Sequence, residues 1–176
     1  MTLSDLAALG SFLSGIAVVA TLAFLLAQLR QANKNQKGLL QQGRSSRVTE
    51  LILRMTQPEL SRVLARTGRG DLDIEDSQVG ALTAFYAAVF WSIEDSFLQY
   101  RAGLLPANSW ETDLATLRRF LSGAACRVAW TMAREMMCGE YRDYVDALMR
   151  EIVPRAPTDT LKTWQSLMSR ELGVAA

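Results

Sequence analysis

Hydrophobic residues are distributed along this chain in two distinct ways. Leu6 to Leu29, "LAALGSFLSGIAVVATLAFLLAQL", is largely apolar and carries no charge. A helix rises about 1.5 Å per residue and a hydrocarbon core is about 30 Å thick, so this run is long enough to span a bilayer. Beyond it the apolar residues recur at helical spacing and alternate with charge. No stretch shows strict two-residue alternation, so no strand is expected. Pro, Gly and capping residues set the breaks. "TQPELSRVLART" restarts a helix, with Thr56 placed to cap it, Pro58 early and Glu59 three after Thr56. The polar "GRGDLDIEDS" is a loop. Asp76 or Ser77 is placed to cap a helix over Gln78–Leu104, ended by Pro106. Further helices are expected from Asn108 or Ser109 to Leu121, over Ala124–Met137, over Glu140–Val153, and from Thr158 or Asp159 to Leu172. The predicted fold is all-α: one N-terminal transmembrane helix followed by a cytoplasmic helical bundle of about six helices. Its divisions are a transmembrane anchor over 1–30, a basic juxtamembrane helix over 31–55 and the bundle over 56–176.

The flanks of the apolar run set an expected orientation. The opening "MTLSD" lacks the basic residues of a secretory signal, which favours an uncleaved anchor. "RQANKNQKGLLQQGRSSR" holds Arg30, Lys34, Lys37, Arg44 and Arg47 and no acid. The positive-inside rule places this side in the cytoplasm and the N-terminus outside. The same five cations are candidates for anionic lipid headgroups. Within the span, Gly10, Ser14, Ala17 and Thr21 form a row of small residues that leads through Phe24 to Gln28. Small residues let two helix backbones approach closely. The row suits an oligomer seam, a pore lining or a solitary span whose Gln28 reaches the interface.

Composition removes whole classes of chemistry. The 176 residues include no histidine, so His-ligated zinc, Ser-His and Cys-His catalysis are excluded. Cys126 and Cys138 lack metal-knuckle spacing and read as ordinary thiols. A net charge of +1 gives no reason to expect nucleic acid as a partner. "TGRGD" has two glycines but not the strand, helix and Lys-Ser/Thr of a phosphate loop. No cofactor and no metal site is expected.

The exception to the apolar pattern is "FWSIEDSFLQYRAGLL", in which Glu94 and Asp95 interrupt a core helix. A helical wheel centred on Leu82, Tyr86, Ile93, Phe97, Tyr100 and Leu104 puts Glu94 partly inside the apolar face and Asp95 at its edge. A buried carboxylate needs a cation or backbone donors. The arginines expected to serve are Arg47, Arg54, Arg127 and Arg134, with Arg101 farther along the same helix. Adjacent carboxylates diverge by about 100° and cannot chelate one ion together. Glu94 is therefore expected to be a paired structural charge. Asp143 and Asp146 read as a solvated face.

Taken together, "LLAQLRQANKNQ", "TQPELSRVL" and "WSIEDSFLQYRAGLL" followed by Trp110 resemble an uncharacterised bacterial family. Its members join one N-terminal transmembrane helix to a small helical cytoplasmic domain. The resemblance implies an anchored helical protein of the bacterial inner membrane and supplies no catalytic residues. The expected function is non-enzymatic: a membrane-anchored interaction protein that self-associates or serves as an accessory subunit of an inner-membrane complex. Its partners would be membrane lipid, further copies of itself or other membrane subunits. A homo-oligomeric pore and an enzyme using Glu94 are the alternatives.

Overall fold

A computed structural model describes residues 2–173, except the side chains of Asp5 and Leu9. Among them lie seven α-helices and no strand: α1 (Leu3–Met55), α2 (Pro58–Gly68), α3 (Asp76–Arg101), α4 (Ala107–Leu121), α5 (Ala124–Ala133), α6 (Gly139–Glu151) and α7 (Thr160–Glu171). The fold is all-α, as the pattern predicts, with six helices after the first. A single 3-10 turn, Arg134–Met136, extends α5. The chain forms two compact units, Met1–Gly43 and Arg44–Ala176.

The first unit is the N-terminal part of α1. None of its described residues is buried. Among the described residues one helix, α1, is long and apolar enough to cross a membrane.

The second unit is a helical bundle built around α3, which packs most closely against α5, α4 and α2. Its core is one continuous cluster that includes Val63, Leu82, Phe90, Phe97, Leu117, Leu121, Trp130, Tyr141 and Val145. Burying each such side chain stabilises the fold by about 1.5–3 kcal/mol before conformational entropy is counted. Aromatic edges meet faces along this core. Phe90 and Trp130 lie 4.9 Å apart at 73°, and Trp130 meets Tyr141 at 6.0 Å and 90°.

Several boundaries differ from the sequence reading for local reasons. Thr56 does not cap α2; its hydroxyl donates to the Leu53 carbonyl at 2.7 Å and closes α1 instead. Gln57 is the N-cap residue of α2, and Pro58 occupies the first turn as expected. Neither Asp76 nor Ser77 is the N-cap residue of α3. Glu75 is, and its backbone N–H donates to the Gln78 side chain at 3.1 Å. Asp159 does cap α7, accepting from the backbone of Leu161 and Lys162.

The end of α3 changes which leucine enters the core. Gly103 adopts φ +71°, a left-handed conformation costly for other L-residues. Its N–H donates to the Tyr100 carbonyl, and that of Leu104 donates to Gln99. This pattern is a Schellman motif. It stops the helix at Arg101, so the wheel no longer applies to the residues beyond. Leu105 is therefore 6% exposed and Leu104 43% exposed, the reverse of the sequence expectation.

Candidate functional site

The partners of Glu94 and Asp95 on α3 differ from those expected from sequence. Among the described residues, Glu94 pairs with no arginine. Its Oε1 accepts the backbone N–H of Cys138 at 2.6 Å. Cys138 is the N-cap residue of α6. The first backbone donors of a helix lack partners within it, and negative charge is favoured there. A local glutamate at the third position often fills this role. Here a residue from another helix does so. Glu94 is half-buried, and its backbone donor is the second of the two partner types that burial demands.

Asp95 takes the arginine. Arg47 lies 2.5 Å from its Oδ2, and Gln99 donates to the same oxygen at 2.9 Å. One turn earlier on α1, Arg44 pairs with Asp113 at 2.7 Å and also reaches the Ser109 carbonyl. The Arg44 and Asp113 side chains are only 11% and 16% exposed. Two of the five cations assigned to the lipid surface are thus bound to acids of α3 and α4. Arg30, Lys34 and Lys37 are exposed.

The other candidate arginines are committed elsewhere. Arg54 faces Glu50 on its own helix, and Arg101 pairs with Glu140. Arg127 donates to the carbonyls of Leu121 and Met149. Arg134 pairs with Asp146, which also accepts the Trp130 indole N–H at 2.8 Å. Asp146 is therefore half-buried and engaged, whereas Asp143 is exposed as expected. Burial alone would push the Asp146 carboxyl up. The Trp130 N–H and the Arg134 guanidinium outweigh it and hold the pKa below the ordinary value.

Cys126 and Tyr141 are titratable groups deep in the core. Burial pushes the Cys126 thiol up to about 12, so it stays neutral and unreactive. Burial, then the charge of Glu94, raises the Tyr141 phenol well above its usual range. The Tyr141 hydroxyl has no hydrogen-bond partner among the described residues.

The bundle carries a groove of about 630 Å³. Ala81, Ala84, Ala88 and Trp91 of α3 form one side at spacings of three and four. Leu51 of α1 and Leu60 of α2 form the other. Trp91 is 49% exposed although it lies in a core helix. Charges rim the groove: Arg47 with Asp95, Arg54 with Glu50, and Glu59. Glu59 has no ion-pair partner among the described residues. A second groove of about 330 Å³ lies on the other flank of the α1 end, lined by Val48, Ile52, Val89 and Phe120. Sequence reasoning did not isolate either groove. The alanines of α3 lie on one helical row, the signal that marks a face open to close approach.

On the N-terminal unit, Gly10, Ser14, Ala17, Thr21 and Gln28 are exposed along α1. The Thr21 hydroxyl donates to the Ala17 carbonyl at 2.8 Å and so satisfies itself within the helix. Gln31 donates to Asn35 one turn on. Among the described residues no group of three or more His, Cys, Asp or Glu is arranged to hold a metal ion.

Compared with models of protein families, with curated proteins and with solved structures, the chain gives no match. The resemblance read from the sequence rests on its quoted residues alone.

Proposed function

We propose that this chain is a membrane-anchored helical interaction protein, non-catalytic, that self-associates or serves as an accessory subunit of a bacterial inner-membrane complex. The observation that carries the reading is the apolar groove of the bundle, open beside a half-exposed Trp91. Concave apolar surface with a charged rim is the form in which helices and peptides are recognised. Membrane anchoring is supported by α1, whose described residues from Leu6 to Leu29 are apolar or uncharged and all exposed.

Arg44 and Arg47 are engaged by acids, which leaves Arg30, Lys34 and Lys37 as the cations that bear on orientation. Three exposed cations directly after the apolar run, with no acid among them, keep the bundle cytoplasmic and the N-terminus outside. The small-residue row Gly10, Ser14, Ala17, Thr21 and Gln28 offers a seam for close helix contact.

The test is the mass of the full-length protein in mild detergent, with co-purifying chains identified. A homo-oligomer or a defined complex is expected. A strict monomer without a partner overturns the interaction reading. Protease added to right-side-out and inverted vesicles reads the orientation: the bundle should be cut only in inverted ones.

A further inference from the structure

Among the described residues of α1, none is buried. Its bundle end, Arg44–Met55, is nevertheless attached to α3 and α4. Four half-buried side chains make the attachment: Arg44, Arg47, Leu51 and Met55, spaced three and four apart in one row. Two of the four are charged, and their acids are Asp113 and Asp95. The apolar two, Leu51 and Met55, reach only the margin of the core. Val48, Ile52 and Leu53 of the same segment stay exposed.

Open space lies on both flanks of this row. The groove of about 630 Å³ runs along one side and that of about 330 Å³ along the other, and Leu51 and Phe85 line both. Atoms that face such space forgo the dispersion contacts that hold a closed interior together. The surface beneath the segment is apolar. Phe85, Val89 and Ile93 of α3 line the second groove with Val48, Leu51 and Met55 of α1. All three α3 residues are buried, Val89 at 3% exposure.

We propose that Arg44–Met55 is a releasable strap. It lifts from α3 and α4, joins the two grooves into one apolar cleft, and is latched by the Arg44–Asp113 pair. Among the described ion pairs this one is the most shielded, and Arg44 also reaches the Ser109 carbonyl at 3.3 Å. The Arg47–Asp95 pair, one turn on, is far more open to water. A segment held by few apolar contacts opens locally while the rest of its domain stays folded. Only Thr56 and Gln57 separate α1 from α2, so the strap turns about a short joint. Loss of the latch leaves a shielded charge without its partner, and release carries that charge into water. Release widens the groove on which the interaction reading rests. It is a property of the isolated protein and stands or falls without a partner.

Thiol labelling of the folded, full-length protein in mild detergent tests the strap. Val89→Cys places a thiol beneath it. Cys138→Ser removes the exposed native thiol, and buried Cys126 on α5 reports opening of the whole bundle. The introduced thiol should react with a small thiol reagent at least fivefold faster than Cys126. Asp113→Asn removes the charge of the latch but not its bulk. It should speed labelling of the introduced thiol at least a further fivefold and leave Cys126 unchanged. A smaller ratio between the two thiols means that only global opening occurs and overturns the strap. A smaller effect of Asp113→Asn, or an equal acceleration at Cys126, overturns it too. Circular dichroism checks that each variant is folded. Hydrogen exchange on the unsubstituted protein gives a second reading: amides of 44–55 should exchange at least tenfold faster than those of 85–97. Equal protection of the two segments overturns the proposal. Each of these failures leaves the interaction reading standing, because that reading is tested by the mass of the complex.

Discussion

The N-terminal unit and the bundle draw on the same apolar residue types and bury them in opposite ways. From Leu6 to Leu29 every described side chain is exposed, whereas between Leu60 and Leu148 a large subset of the apolar residues forms one buried cluster. The difference lies in spacing. An uncharged, largely apolar run covers all sides of its helix, so no single face can be turned to a protein core. The helices of the bundle interleave charge with apolar residues and thereby define an inside. The bundle follows from burial by its own chain; the apolar run needs another solvent, which the proposed membrane supplies.

Four changes break or sharpen this contrast. The largest effect is expected from Val19→Arg with Leu22→Arg. Each arginine at the centre of a span costs about 2.5–3.5 kcal/mol on insertion scales. The protein should leave the membrane fraction in carbonate extraction while the bundle keeps its thermal transition. The converse change is Phe90→Ala, which removes a fully buried ring beside Trp130. It should destabilise the bundle by about 3–5 kcal/mol in denaturant unfolding and leave membrane association intact.

The third change compares the two arginines at the bundle end of α1. A double-mutant cycle on Arg44 and Asp113 should give a coupling of about 1.5–3 kcal/mol, as for well-shielded charged hydrogen bonds. The same cycle on Arg47 and Asp95, both roughly half exposed, should give about 0–1 kcal/mol. Equal couplings would show that shielding does not separate the pairs. The smallest effect concerns pH. The Asp146 pKa is lowered in the fold, so the unfolded chain binds its proton more readily. Its stabilising contribution is complete above about 4 and is lost as pH falls through the lower folded value. Asp146→Asn should flatten the acid limb of a stability–pH curve and leave its neutral region nearly parallel to wild type.

Much of the architecture was legible because it is encoded locally. Proline, glycine and the Asp159 cap mark helix ends within a few residues of where they fall. The half-buried state of Glu94 was legible from the wheel for the same reason. The identity of its partner was not. Glu94 and Asp95 diverge by about 100° on the helix, and which of them faces an arginine depends on how α1 and α6 pack against α3. Arg44 read as a lipid-facing cation because its acid, Asp113, lies 69 residues away. Asp146 read as solvated because its partner Trp130 belongs to another helix. The grooves were invisible for a related reason: they are spaces between elements, and no single helix pattern contains them.

The hydrogen bond between Glu94 and the Cys138 backbone has a practical consequence. Cys138 is exposed, whereas the other cysteine, Cys126, is buried. A thiol-directed fluorophore or nitroxide should therefore attach at one native position without engineered residues. That label would sit where α3 holds the first turn of α6, and its mobility would record in real time whether that junction stays closed when the protein meets a partner.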